Sequence, residues 1–159
     1  MSLLNKEPVK RAEKALKEFD ETLSVKELEN TARTALDAAK SLNCEVGAIV
    51  KSLLFKNGDN YFLCLVSGDK RCSLNKLKKF FNSKDLSMAS PNDVKEQTGY
   101  TIGGVSPIGH KNSLQILVDR SLNRFEDLFA AAGHPNCIFK INFVDLIKIT
   151  NGSIEDIIE

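Results

Sequence analysis

Two stretches of this chain carry residues whose type and setting could support chemistry. In Val46 to Lys56, V-G-A-I-V-K-S-L-L-F-K, Lys51 stands between Ala48-Ile49-Val50 and Leu53-Leu54-Phe55. A lysine inside an apolar run either points to solvent from a half-exposed strand or is held in a cleft, where it offers a positive charge to a ligand. The second stretch, Thr98 to Lys111, reads T-G-Y-T-I-G-G-V-S-P-I-G-H-K and gathers four of the nine glycines into eleven residues. Gly99, Gly103, Gly104 and Gly109 open backbone conformations closed to other residues, and Pro107 fixes one φ among them. Such a loop either connects two strands tightly or presents backbone N–H groups able to hold an anion or a developing oxyanion.

Familiar phosphate and hydrolase signatures are missing. Gly104 and Gly109 have the spacing of a P-loop, but His110 and Lys111 follow, so the lysine is out of register and no hydroxyl residue comes next. There is no G-x-G-x-x-G, no G-x-S-x-G elbow and no H-E-x-x-H. Cys44, Cys64, Cys72 and Cys137 are scattered without a C-x-x-C pair, and only His110 and His134 could join them, so neither a zinc site nor another cofactor is expected. His110 is either a loop donor to a ligand or a surface turn residue; His134, between Gly133 and Pro135, reads as a turn former.

With 22 basic and 21 acidic side chains in 159 residues, net charge gives no global pull toward nucleic acid. Contact with a phosphodiester backbone would have to come from a local patch, and Lys70-Arg71 with Lys76, Lys78 and Lys79 is the best one, unless these form an ordinary solvated face. No signal peptide and no apolar run long enough to span a bilayer is seen, and the reading is a cytoplasmic protein with reduced thiols.

The elements that must position these residues follow from periodicity. Val9, Ala12, Leu16 and Phe19 recur at helical spacing from Glu7 to Phe19. A crossing from Asp20 to Asn30, with an extended piece near Leu23 and Val25, leads to a second helix placing Ala32, Ala35, Leu36, Ala39 and Leu42 on one face, capped by Asn30 or Thr31. Val46 to Lys56 and Tyr61 to Val66 are strands joined through Asn57-Gly58-Asp59-Asn60. Ser73 starts a helix with Leu74, Leu77 and Phe81 inward. A short segment at Leu86 to Ala89 precedes Ser90-Pro91-Asn92-Asp93, an N-cap, proline and capping-box acid whose helix ends at Gly99. Leu114 to Val118, Asp127 to Ala131 and Cys137 to Ile141 are strands. Asn142 with Asp145 opens a helix stopped by Asn151-Gly152, and Ser153 with Asp156 is expected to cap a last short helix. Helices enclosing strands joined partly by hairpins predict one α+β domain over residues 1–159, with a mixed, curved, barrel-like sheet.

Taken together, V-K-S-L-L-F at Val50 to Phe55, the preceding T-A-R-T-A-L-D-A-A, the T-G-Y-T-I-G-G-V-S-P-I-G block and A-A-A-G at Ala130 to Gly133 resemble the YbaK/ProX family. Its members are free-standing aminoacyl-tRNA deacylases similar to the editing domain inserted in bacterial prolyl-tRNA synthetases. The lysine strand and the G-x-x-x-P loop, Gly103 to Pro107, occur in the family's order, about fifty residues apart, and the resemblance runs from about residue 31 to the C-terminus, after an N-terminal helix and crossing over 1–30.

The resemblance implies metal-independent, cofactor-free hydrolysis of the ester joining a wrong amino acid to the 3′-terminal adenosine of a tRNA. By the family pattern Lys51 contacts the terminal adenosine or its phosphate, and the backbone around Gly103, Gly104 and Pro107 holds the aminoacyl end and the attacking oxygen. Ser52, Val105, Ser106, Gly109, His110, Ala131, Ala132 and Gly133 line the substrate site, and Lys70, Arg71, Lys76 and Lys79 meet the tRNA. The implied substrate is a small amino acid, serine, threonine, alanine or cysteine, and prolyl-tRNA synthetase is the first candidate partner. Ala131-Ala132-Gly133 departs from the Ser-Gly-Gly expected of members specialised for cysteine, and the form is closer to those clearing seryl or threonyl esters. Two other readings are a module of the same fold that only docks tRNA or a synthetase, and a small-molecule esterase or amidase using the same loop.

Overall fold

The sheet is built around one long hairpin. In the computed structural model, which describes residues 2–30 and 32–159, β2 (Ile49–Asn57) turns through Gly58, at φ +60°, into β3 (Asn60–Ser67). The two run antiparallel in unbroken register from Val50–Ser67 to Asn57–Asn60. The other strands are β1 (Val25–Glu27), β4 (Leu86–Met88), β5 (Gln115–Asp119), β6 (Leu128–His134), β7 (Cys137–Ile141) and β8 (Ser153–Glu155). They form one eight-stranded mixed sheet in the order β1-β7-β6-β2-β3-β5-β8, with β4 also on β2. The sheet curls into a half-barrel, giving the single α+β domain expected from the sequence.

Among the described residues five α-helices cover it: α1 (Glu7–Phe19), α2 (Ala35–Leu42), α3 (Leu74–Phe81), α4 (Pro91–Thr98) and α5 (Phe143–Thr150). Val9, Ala12 and Leu16 of α1 are buried, and the helix lies against β6. They enter the main core with Val50, Leu54, Leu63, Leu65 and Tyr100. On the opposite face of the hairpin, Phe55, Phe62, Cys64, Val66 and Leu77 make a second cluster under α3. A third joins Ala38 and Ala39 of α2 to Ile49 and Ile138. Asn43, Asn82 and Asn151 end α2, α3 and α5 in the left-handed region, at φ 54°, 49° and 53°, where a short polar side chain costs least after glycine.

Several details depart from the sequence reading: Val46–Ala48, expected in the strand, form a 3-10 turn before β2, and Phe19 at the end of α1 is exposed. The cap of α2 is Thr34, whose hydroxyl accepts the Asp37 N–H at 3.1 Å, not Asn30 or Thr31; Thr31 lies outside the described residues. Ala32 precedes the helix because its N–H is taken by the Asn136 side chain at 3.1 Å, and Leu36 is 53% exposed while Ala38 is buried. Leu74, the first residue of α3, is partly exposed rather than inward. Ser153 does not cap a helix: Ser153–Glu155 is a strand parallel to β5, and Asp156 pairs with Lys76 instead.

Candidate active site

β2 borders the cavity because its second edge is only partly occupied. Along one edge it pairs with β3 throughout, while along the other β6 meets it only at Ile49–Phe129 and Val50–Ala130, and β4 only at Phe55–Met88 to Asn57–Leu86. Between these partners Lys51 to Leu53 form an open edge. The alternation of an antiparallel ladder aims the N–H and C=O of odd-numbered residues here at β3 and those of even-numbered residues at the opposite edge. Two contacts agree: the Ile49 carbonyl accepts the Gly68 N–H at 2.8 Å, and the Leu54 carbonyl accepts the Ala89 N–H at 3.0 Å from the other side. Ser52 therefore turns both peptide groups into the opening. Its buried hydroxyl has no hydrogen-bond partner either, the sole such side-chain atom among the described residues.

The opening leads into a cavity of about 360 Å³ lined by β2, the start of α2, the β4–α4 junction, the glycine-rich loop and β6. Its walls are mostly small or apolar: Ala35, Ala38, Ile49, Leu54, Val94, Val105, Ala131 and Ile138. Arg33 and Lys51 are the charged lining residues, and no Asp, Glu, His or Cys lines it among the described residues.

The glycine-rich loop is half plug, half wall. It links α4 to β5 rather than two strands, and Gly104 to Ile108 are buried while Thr101 to Gly103 are exposed. Tyr100 anchors it: the ring is fully buried, its hydroxyl donates to the Ile108 carbonyl at 2.8 Å, and the Arg11 guanidinium lies 4.6 Å over it while donating to the Gly109 carbonyl. Burial pushes the Tyr100 phenol up to about 12. Gly103 sits at φ +92°, and a Cβ on Gly104 would lie 3.0 Å from the Gly133 and His134 backbone, so this pair fits tightly against the end of β6. There β6 bulges between Ala131 and His134 and leaves β2, which opens the cavity mouth.

Lys51 is half-buried on the face of β2 that carries Ile49 and Leu53. Its Nζ donates to the Lys70 carbonyl at 2.5 Å, and burial lowers its pKa despite Asp69 and Asp119 nearby. Those carboxylates belong to a network that fixes the turn after β3. Asp119 is 1% exposed and accepts the Ser67 N–H and the Ser121 hydroxyl, while Arg124 grips Asp69 and holds its carboxyl at about 2. The lysine is thus braced by the same turn that supplies Lys70.

Of the residues predicted from sequence, Lys51, Ser52, Gly103, Val105 and Ala131 line this cavity. Gly104 supports the wall from behind, and Ser106 and Ala132 are fully buried in the core. Gly133, at φ +88°, packs on Pro8 of α1. Pro107, Gly109 and His110 line a separate cavity of about 260 Å³ beside α5. There His110 Nε2 lies 2.6 Å from the Ser106 carbonyl, and burial lowers its pKa. Lys76 is engaged with Asp156 at 2.9 Å, whereas Lys79 and Arg71 are exposed. Sequence reasoning missed Arg33, Met88, Ile102 and Pro135 on the cavity rim. Met88 and Ile102 are 60% and 63% exposed, and two apolar residues in turn-flanked positions were the available signal.

Comparison with known proteins bears on what this cavity serves. A family model described as an aminoacyl-tRNA editing domain matches residues 29–149. The chain belongs to this family. Among curated relatives of the editing domain is the uncharacterized protein YwhH of Bacillus subtilis, 35% identical over 127 residues, covering 79% of this chain and 80% of YwhH. Another is the proline–tRNA ligase of Thermosipho melanesiensis, 37% identical over 120 residues; the match covers 74% of this chain and only 21% of the ligase. A crystal structure described as a proposed trans-editing enzyme for prolyl tRNA synthetase superimposes with a TM-score of 0.92 at 35% identity, covering 97% of this chain and 98% of that one. The hypothetical protein APE2540 has the same fold, with a TM-score of 0.86 at 26% identity. No helix among the described residues is long and apolar enough to cross a membrane.

Proposed function

We propose that this editing domain is a trans-acting deacylase that hydrolyses the ester of a small, mischarged amino acid on tRNA, acting in the cytoplasm as a partner of prolyl-tRNA synthetase. The observation that carries this reading is the cavity at the open edge of β2, where unpartnered peptide and hydroxyl groups of Ser52 face small apolar walls, with Lys51 and Gly103 beside them. Water attacks the ester carbonyl carbon, the bond from that carbon to the ribose oxygen breaks, and the ribose oxygen takes up a proton. An aminoacyl ester is already reactive, so positioning and stabilisation of the oxyanion supply most of the acceleration.

With no carboxylate or imidazole among the described lining residues, the proton acceptor is the adenosine 2′-hydroxyl or a second water. Arg33 and Lys51 provide positive charge for the terminal phosphate and the developing oxyanion. Ala35, Ala38 and Ala131 leave room for a side chain of the serine, threonine, alanine and cysteine class, and a methylene more or less in such a pocket is worth about 1–3 kcal/mol. Lys70, Arg71 and Lys79 follow the tRNA backbone, with Lys76 joining once it leaves Asp156.

The engagement of the Lys51 ammonium with the Lys70 carbonyl favours one second reading, a module that docks tRNA or a synthetase without hydrolysis. The test is to incubate the purified chain, wild type and Lys51→Ala, with tRNAs charged with serine, threonine, alanine or cysteine. Loss of one or two esters with wild type alone supports the deacylase. Survival of every ester while tRNA still binds selects the docking module.

A further inference from the structure

The open edge of β2 has the form of half an antiparallel residue pair. Ser52 directs an N–H donor and a C=O acceptor to the same side, with no strand opposite, since β6 stops at Val50 and β4 begins at Phe55. The neighbouring acceptor, the Leu54 carbonyl, is already taken by Ala89. The Ser52 hydroxyl adds a third group, buried and without a partner. An aminoacyl group carries the complement: one amino N–H donor and one carbonyl acceptor on the same carbon, spaced as in a single β residue. Two strands exchange both bonds at such a pair.

We infer that the cavity recognises the α-amino group of its substrate, the amine donating to the Ser52 carbonyl and hydroxyl while the ester carbonyl accepts the Ser52 N–H. This rests on the reading that the cavity takes an aminoacyl ester. The electrostatics of the lining support it, because Arg33 and Lys51 are the charges among its described residues and none of these is a carboxylate ready for an ammonium. The amine therefore enters neutral, and its acceptors are peptide and hydroxyl oxygens. The same pairing sets the ester carbonyl on a backbone donor, where charge develops as water adds. Acyl-tRNAs lacking the amine bind more weakly, since they bring no donor to the Ser52 carbonyl and hydroxyl.

The test uses two non-hydrolysable adenosine analogues that carry a 3′-amide in place of the ester, one alanyl and one propionyl, the second lacking only the amine. Titration calorimetry with the whole chain is expected to show the propionyl analogue binding about tenfold more weakly, the loss of one or two hydrogen bonds. Ser52→Ala should weaken the alanyl analogue by about threefold to tenfold and leave the propionyl analogue unchanged. Equal binding of the two analogues, tighter binding of the propionyl analogue, or binding of neither overturns the inference. Discrimination between the analogues together with intact alanyl-, seryl-, threonyl- and cysteinyl-tRNAs would uphold amine recognition and remove the deacylase reading.

Discussion

Replacing Lys51 by methionine separates a role in chemistry from a role in holding the fold. The side chain sits half-buried on β2, and its Nζ donates to the Lys70 carbonyl at 2.5 Å. Burial lowers its pKa below 10.5, and this outweighs the attraction of Asp69 and Asp119. A base whose pKa falls on folding costs stability while it is charged, and that cost is relieved as pH rises from the folded-state pKa toward 10.5. Methionine keeps the apolar stem, removes the buried charge and gives up one charge-assisted bond worth about 1.5–3 kcal/mol. The two effects oppose each other, so stability should change by no more than about 1 kcal/mol, or about 2–4 °C in melting temperature. If the ammonium faces the developing oxyanion or the terminal phosphate, single-turnover deacylation should fall by about 10²–10³. The assay pairs thermal melting with ester loss from the charged tRNA that wild type clears fastest. A melting temperature lowered by more than about 10 °C, or hydrolysis within threefold of wild type, would refute the reasoning.

Three further outcomes follow from the geometry. Gly104→Ala places a methyl 3.0 Å from the Gly133 and His134 backbone and should cost about 1–3 kcal/mol in denaturant unfolding, because neither neighbour is a flexible side-chain tip. Ala131→Leu fills the small-residue wall and should slow hydrolysis of the preferred ester at least about tenfold while leaving the melting temperature within a few degrees, since the residue borders empty space. The Asp69 carboxyl is held at about 2, first by its hydrogen bond from Arg124, so the stability it contributes is present above its ordinary 3.8 and is lost as pH falls toward 2. Both partners are partly solvated, and Asp69→Asn should therefore destabilise by only about 1 kcal/mol at pH 7 and by almost nothing at pH 2, read from urea unfolding at the two pH values.

What could be read from the chain was the part encoded locally. The Asn57-Gly58 turn fixed the register of the central hairpin, and Ser90, Pro91 and Asp93 marked the start of α4, because caps and turns depend on residues within a few positions. Ser153 misled for the same reason: a cap pattern is local, but pairing with β5 is not. Lys51 and Gly103 were legible as a lone charge and a glycine cluster. The partners that make the cavity were not, since Arg33, Met88 and Pro135 meet it only through the sheet order, and neither the gap beside Ser52 nor the bulge in β6 has a sequence signature. In sequence the glycine-rich loop reads as either a tight strand connection or backbone presented to a ligand, whereas Tyr100 and Arg11 draw its second half into the core.

The central claim is that the aminoacyl end of a tRNA is held at the open edge of β2. A crystal structure of the chain with the alanyl 3′-amide of adenosine tests it most directly. The account predicts the alanyl group against Ser52 and Gly103, with the adenosine at the rim beside Met88 and Ile102. Density instead in the cavity of Pro107, Gly109 and His110, or on the α3 surface, would contradict it.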